Sequence, residues 1–215
     1  MWFEIHCHST YSDGKNTPKE MAASARKKGL DGLVLTDHDE IKGSLKAREY
    51  AADDLVVYSG MEVSSSDGHI LALDVDEIVP RDLSAQETVE RIHELGGIAV
   101  AAHPYDRWRK GVGDLVLEVG FDAVEVVNGH TFGNTRDPFE AAGKAGKPMV
   151  GGTDAHSASE VGGVTIQVHG ELIDSIRAGR LEIDPGNKYK LFMNHGVGIV
   201  KRRFKKHVSS KLKGL

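Results

Sequence analysis

Residues 2–39 read "WFEIHCHSTYSDGKNTPKEMAASARKKGLDGLVLTDHD". An apolar run, a helical pattern and a second apolar run follow in order, which predicts a strand–helix–strand unit with parallel strands. The helix signals are explicit. Thr17 takes the N-cap, Pro18 the first helical position, Glu20 completes a capping box and Gly29 ends the pattern. Both strands finish in ligand-type side chains: His6 and His8 on the first, Asp37, His38 and Asp39 on the second. Residues two apart on a strand share a face, so His6 and His8 converge while Cys7 points the other way.

The alternation continues along the chain. Helices are expected in "GSLKAREYAAD", in "SAQETVERIHELGG" with a second capping box at Ser84 and Glu87, in "DPFEAAGKAG" and in "ELIDSIRAG". Strands are expected in "DLVVYSGMEVS", "HILALDV", "IAVAAHP", "DAVEVVN", "KPMVGGTDAH" and "VTIQVH". These strands carry Glu62, His69, His103, Asn128, Asp154 and His156. A parallel α/β barrel brings the C-terminal ends of its strands to one functional face. The pattern therefore predicts that these side chains meet.

With 215 residues, 40% of them hydrophobic and 27% charged, the chain suits one domain with a sizeable core. No run approaches about 18 apolar residues, and no basic stretch leads into an apolar one, so neither a membrane span nor a secretory signal is expected. Cys7 is the single cysteine, which excludes an internal disulfide and fits a reducing, cytoplasmic setting. The net charge of −5 is uneven: residues 187–215 hold nine Lys or Arg and no Asp or Glu, leaving −14 on the remainder. The composition breaks at Asp184-Pro185-Gly186, which divides the chain into a domain over 1–184 and a basic extension over 185–215. In the extension, Val200, Phe204, Val208 and Leu212 recur every four residues and predict a basic helix with a narrow apolar stripe. That helix either packs on the domain with its charges in solvent or contacts nucleic acid or a membrane surface.

Imidazoles mixed with carboxylates suit zinc, iron or manganese rather than calcium or magnesium. The candidate ligands exceed what one ion takes, so two or three ions sharing a bridging carboxylate are expected. Two ions about 3.5–4 Å apart can hold a hydroxide nucleophile and clamp the oxygens of a phosphoryl group.

The motifs "HCHSTYSDG", "TDHD", "GMEVS…HIL", "AAHP" and "GGTDAH", in this order between residues 6 and 156, resemble those of the PHP (polymerase and histidinol phosphatase) family. The resemblance implies a distorted (β/α)7 TIM-like barrel with a di- or trinuclear metal centre. It also implies a division of ligands. One ion takes His6, His8, Glu62 and Asp154; a second takes Glu62 as bridge with His69 and His103; a third takes Asp13, His38 and His156. Asp37 and Asp39 are expected to support His38 rather than bind metal. The short stretch between His69 and His103 leaves no room for a recognition insertion, which predicts an open pocket.

Beyond the ligands, Arg107, Arg109 and Lys110 leave the site face on one loop and are either solvated or in contact with substrate phosphate, with Arg107 and Arg109 the favoured contacts. Asn128 is a candidate substrate contact, and His130 a candidate general acid for the leaving oxygen, beside Glu62 as the central catalytic carboxylate. Ser9 and Thr10 are read as loop-bonding hydroxyls. The expected function is hydrolysis of a small phosphomonoester: a nucleotide, sugar phosphate or amino-alcohol phosphate. The alternatives are a nuclease acting on strand ends and a binding module that keeps metal for stability.

Overall fold

The computed structural model describes residues 1–186. Strand β1 (Trp2–Glu4) leads into α1 (Pro18–Lys27), whose start is fixed as the sequence predicts. The Thr17 Oγ1 accepts the Glu20 N–H at 3.3 Å, and a Glu20 carboxylate oxygen accepts the Thr17 N–H at 2.7 Å. Gly29 follows at φ +72°, a conformation that costs glycine little. Met21, Ala22 and Ala25 on α1 are buried against Cys7, Leu33 and Leu35. The chain then runs β2 (Gly32–Val34), α2 (Lys42–Arg48), β3 (Val56–Tyr58), β4 (Gly60–Ser64), β5 (His69–Leu73), α3 (Ala85–Glu94) and β6 (Ile98–Ala101). A 3₁₀ turn at Gly113–Leu117 precedes β7 (Ala123–Asn128), α4 (Pro138–Ala145), β8 (Met149–Gly152), β9 (Thr165–Val168), α5 (Leu172–Arg177) and β10 (Leu181–Asp184).

The strands form two five-stranded sheets, β10-β9-β1-β2-β3 and β4-β5-β6-β7-β8. Among the described residues these ladders do not close into a barrel. Two isolated parallel bridges join the sheets instead, Cys7 with Ala155 and His38 with Glu62. Both lie at the ends where the candidate ligands sit, so the sheets are pinned to each other at that end. The strands are not all parallel either. β4 and β5 are an antiparallel hairpin, β5 runs antiparallel to β6, and β9 lies antiparallel to both β1 and β10.

Two further differences from the sequence reading have local causes. "DLVVYSGMEVS" is two strands in two sheets, because the chain turns at Ser59: its carbonyl accepts Asp74 N–H, while the next N–H, from Gly60, goes to Ser44 Oγ at 2.7 Å. A Cβ on Gly60 would lie 2.9 Å from the Ala72 carbonyl oxygen, so glycine permits this close approach. β10 is an added edge strand in a segment that the apolar pattern did not mark. The basic helix expected over 200–212 lies outside the described residues. No described helix is long and apolar enough to cross a membrane.

Below the ligand layer the sheets share an apolar floor: Phe3 and Val34 from one, Leu71, Leu73, Ile98, Val100, Ala123 and Val150 from the other. Period-two alternation carries floor and ligands on the same faces. His69 stands in register with Leu71 and Leu73 on β5.

Candidate metal centre

Glu62 sits in the middle of β4 and is 1% exposed. Five imidazoles surround its carboxylate. Oε2 lies 3.2 Å from His6 Nε2, 3.3 Å from His8 Nε2 and 3.3 Å from His38 Nδ1. Oε1 lies 3.0 Å from His69 Nδ1 and 3.2 Å from His103 Nε2. His69 joins this circle from the first residue of β5. The antiparallel hairpin brings the start of β5 level with the C-terminal ends of its neighbours, so a ligand at a strand's beginning meets ligands at strand ends.

The other expected ligands complete the ring. Asp154 Oδ1 is 3.2 Å from His8 Nε2 and 3.6 Å from His6 Nε2. Asp13 reaches in from the first loop, 3.2 Å from His156 Nε2, 3.8 Å from His38 Nε2 and 3.9 Å from His8 Nδ1. Four sets of three converge closely enough for an ion: His8, His38 and His156; His6, Glu62 and His103; His6, His8 and Asp154; His38, Glu62 and His69. These sets divide the residues differently from the expected partition: His69 and His103 join Glu62 in separate sets, Asp13 is in none of the four, and His38 stands near both Glu62 and Asp13.

The donors present fit divalent metal. Ligands about 2.1 Å from a tetrahedral ion lie roughly 3.4 Å from each other, close to the separations around Glu62 and Asp154. Protons alone satisfy these groups poorly. His6 Nδ1 is 2.9 Å from Glu125 Oε1 while Nε2 faces Glu62, so both ring nitrogens meet acceptors. Without an ion the ring meets both only as an imidazolium, since a neutral imidazole has one N–H for the two. Burial alone would lower the His6 pKa, but Glu125 and Glu62 outweigh it and push it up to about 10 when no ion is bound. His156 repeats the pattern, with Nδ1 2.8 Å from the Asp154 carbonyl oxygen and Nε2 facing Asp13. Burial and then neighbouring imidazoles lower His156, and burial lowers His8 and His38, so these rings are held neutral. His8 Nδ1 and His103 Nδ1 are buried without hydrogen-bond partners, and His69 Nδ1 approaches Glu62 without hydrogen-bond geometry. Glu62 itself stays ionised: burial raises its pKa, but His6 and the other imidazoles hold it well below the carboxylate range.

The sequence reading passed over Glu125. Its side chain is buried on β7, where Oε1 accepts from His6 Nδ1–H and Oε2 accepts the His103 N–H at 2.8 Å and the Asn128 amide at 3.0 Å. It thereby directs His6 Nε2 toward Glu62. Such carboxylate support commonly fixes the tautomer of a metal-binding histidine. His103 and Asp154 adopt φ +28° and +60°, left-handed conformations that cost about 1–3 kcal/mol each. Bonds from His103 N–H to Glu125 and from Asp154 N–H to the His6 carbonyl at 2.8 Å hold them there. Gly152 completes the cradle, since a Cβ there would lie 2.5 Å from His6 Cβ.

The residues expected around the ligands divide. Asp37 supports the first loop by accepting Ser9 N–H and the hydroxyls of Ser9 and Ser12, each at 2.7 Å. Asp39 accepts the Ser64 N–H at 2.7 Å. Asn128, expected to contact substrate, is buried; its amide donates to Glu125 and to Asp154 Oδ2 at 3.1 Å, and its oxygen accepts the His130 N–H. In this structure it therefore positions Asp154, and its polar atoms are turned to the protein. Arg109 reaches Asp154 with its guanidinium, while Arg107 is exposed on the same loop. His130 is half-buried, stacked on His156 with ring centroids 5.4 Å apart, and its Nε2 lies 3.7 Å from Glu160.

Comparison with known proteins agrees with this geometry. The PHP domain pattern matches residues 4–112, and a PHP-associated pattern matches residues 139–181. An uncharacterized protein of Methanocaldococcus jannaschii, MJ1587, is 32% identical over 139 residues, covering 59% of this chain and 81% of that protein. A 5'-3' exoribonuclease of Haemophilus influenzae is 32% identical over 104 residues, which are 46% of this chain but only 38% of the relative. Among solved structures, a two-domain protein from Bacteroides vulgatus containing a predicted PHP-like metal-dependent phosphoesterase superposes with a TM-score of 0.70 at 19% identity, over 86% of this chain and 64% of that one. Five imidazoles around one buried carboxylate, carried by a matched pattern that spans half the chain, leave one assignment: this protein belongs to the PHP family.

Proposed function

We propose that the chain hydrolyses a small phosphomonoester, with His6, His8, Asp13, His38, Glu62, His69, His103, Asp154 and His156 holding two or three divalent ions. The chain is a metal-dependent phosphoric ester hydrolase of the PHP family. The observation that carries the reading is the convergence of five imidazoles on the two oxygens of Glu62. Zinc, manganese or iron suits that donor set. Ions bound there supply an activated water and polarise the phosphoryl oxygens.

The chain's own groups do the rest. Glu62 would be a ligand common to the ions, and Glu125 and Asn128 hold His6, His103 and Asp154 in place. Arg109 lies beside Asp154 at the mouth and binds a phosphate oxygen, a task for which its planar fork is suited. Arg107 stands one step further out on the same loop. His130, held near Glu160, donates a proton to the leaving-group oxygen. The seven strands β1, β2 and β4–β8, joined end to end by ladders and the two bridges, are read as a distorted barrel around this site. Residues 1–184 form the catalytic domain and 185–215 a basic extension.

Metal-loaded protein screened against phosphorylated metabolites tests the reading. Turnover is expected, abolished by chelator and by Glu62→Gln, which keeps side-chain volume and removes the carboxylate charge at the centre of the imidazoles. Undiminished turnover in Glu62→Gln would refute it. Absence of turnover on every ester would favour a metal-stabilised binding module. A second reading, removal of nucleotides from strand ends, draws on the exoribonuclease relative.

A further inference from the structure

Loop 103–111 leaves the centre at His103 and returns to it. Its return is cinched: His69 N–H donates to the Lys110 carbonyl at 2.7 Å, and a Cβ on Gly111 would lie 2.3 Å from the Pro104 carbonyl oxygen. Inside the loop, Asp106 Oδ1 accepts the N–H groups of Trp108 at 2.7 Å and Arg109 at 3.2 Å. A second loop, 129–137, is tied to the first. Arg107 N–H donates to the Gly133 carbonyl at 3.1 Å, Thr135 N–H to the Tyr105 carbonyl at 2.8 Å, and Asp106 bridges Asn134.

These fastened loops hold the two most exposed large hydrophobic side chains of the described residues, Trp108 at 82% and Phe132 at 77%. A single exposed aromatic needs no explanation. Two on loops bonded to each other, one leaving the centre at His103 and the other following Asn128, call for one. Trp108 lies one Cα step, ~3.8 Å, from Arg109, whose guanidinium touches Asp154. Phe132 lies two residues from His130, which stacks on His156. Arg107, Arg109 and Lys110 border Trp108 in sequence, so cationic groups share its loop. A planar aromatic group attached to a phosphate matches both features, and rigid loops spare the ordering cost of binding.

We propose that Trp108 and Phe132 form a nucleobase platform beside the metal centre, so that the phosphate ester cleaved there belongs to a nucleotide, free or at the end of a single strand. The proposal rests on the phosphoesterase reading for the reaction but on these two loops for the selectivity. Stacking on an aromatic side chain is worth, on alanine substitution, roughly 5- to 150-fold in binding.

The test pairs kinetics with a binding signal that needs no turnover. Full-length metal-loaded protein is assayed on adenosine 5′-monophosphate, ribose 5-phosphate and a 5′-phosphorylated single-stranded tetranucleotide. Separately, tryptophan fluorescence is followed during titration with adenosine, which has no phosphate to lose. Base-bearing substrates are expected to show the lower KM, and Trp108→Ala and Phe132→Ala to shrink that preference by roughly 5- to 150-fold. Trp108→Tyr should keep most of it. Adenosine should quench fluorescence saturably in the wild type and weakly in Phe132→Ala. Preference for the tetranucleotide over the mononucleotide would assign a strand end, and the reverse a free nucleotide. An unchanged preference in both alanine variants, or no adenosine quench, overturns the platform. Turnover of ribose 5-phosphate without a quench would remove the platform and leave the phosphatase. A saturable quench without turnover of any ester would do the opposite.

Discussion

Replacing Glu125 by glutamine keeps the volume of a fully buried side chain and changes only what it offers its neighbours. The carboxylate accepts on both oxygens: from His6 Nδ1 at 2.9 Å on one, and from the His103 N–H and the Asn128 amide on the other. An amide has one oxygen for these two sides. If that oxygen faces His6, the NH₂ meets two donors, and buried donors left without acceptors cost about 1–3 kcal/mol. If the NH₂ faces His6, it donates to Nδ1, and the ring proton moves to Nε2, the atom aimed at Glu62 and Asp154. A protonated Nε2 has no lone pair for an ion. Loss of such a supporting carboxylate lowers metal affinity about 10- to 100-fold, or ~1.4–2.7 kcal/mol. The assay is competition for zinc against a chromophoric chelator, with circular dichroism confirming the fold and a melt giving the stability change. The expected result is weaker metal binding with a modest drop in melting temperature. A folded variant that binds zinc within twofold of wild type would refute the idea that Glu125 fixes the His6 tautomer.

The Tyr58 hydroxyl donates to Glu171 at 2.6 Å, and burial followed by that carboxylate pushes its pKa up to about 12. The neutral form is the one stabilised, so this contribution is full below the ordinary tyrosine value of 10.0 and is lost as pH rises through about 12. Urea unfolding at pH 9 and pH 12 should therefore show a larger alkaline loss in wild type than in Tyr58→Phe; equal losses would remove Tyr58 as a cause. Thr17→Ala breaks the capping box of α1 and should destabilise by about 1 kcal/mol, near 2–4 °C in melting temperature for a chain of this size. An unchanged midpoint would mean that packing of Met21, Ala22 and Ala25, not the cap, fixes where α1 begins.

What the sequence made legible depended on whether a residue's role is local. The caps at Thr17 and Ser84 are local hydrogen-bond patterns, and α1 and α3 begin at Pro18 and Ala85 beside them. The ligands were visible because imidazole and carboxylate stand out at strand ends, and a period of two aligns His6 with His8 and Asp154 with His156. The pairing of strands is not local. Nothing within "HILALDV" states which way it runs, and its antiparallel direction follows from the short turn at Ser65–Gly68, where Ser65 Oγ accepts the Gly68 N–H at 3.0 Å. That turn leaves no length for a helical crossover, which a parallel connection requires. The largely parallel order expected of the strands is interrupted at this point, yet His69 still reaches the centre, because reversing the strand moves its first residue to the shared end.

Glu125 was illegible for a related reason. Within "DAVEVVN" it is one acidic residue in an apolar run, and the same pattern would suit a solvent-facing position on a half-exposed strand. Only the sheet shows that β7 is buried along its whole length, from Ala123 to Asn128. A carboxylate there must meet donors, because an unpaired buried charge is far more costly than the strand's apolar burial can offset. The donors it meets are His6, His103 and Asn128, and each of these touches Glu62 or Asp154 in turn. Burial of one unassigned acid in the strand interior therefore follows from the same requirement that gathers the ligands. A site that directs imidazole lone pairs inward needs acceptors behind the rings, and β7 supplies one.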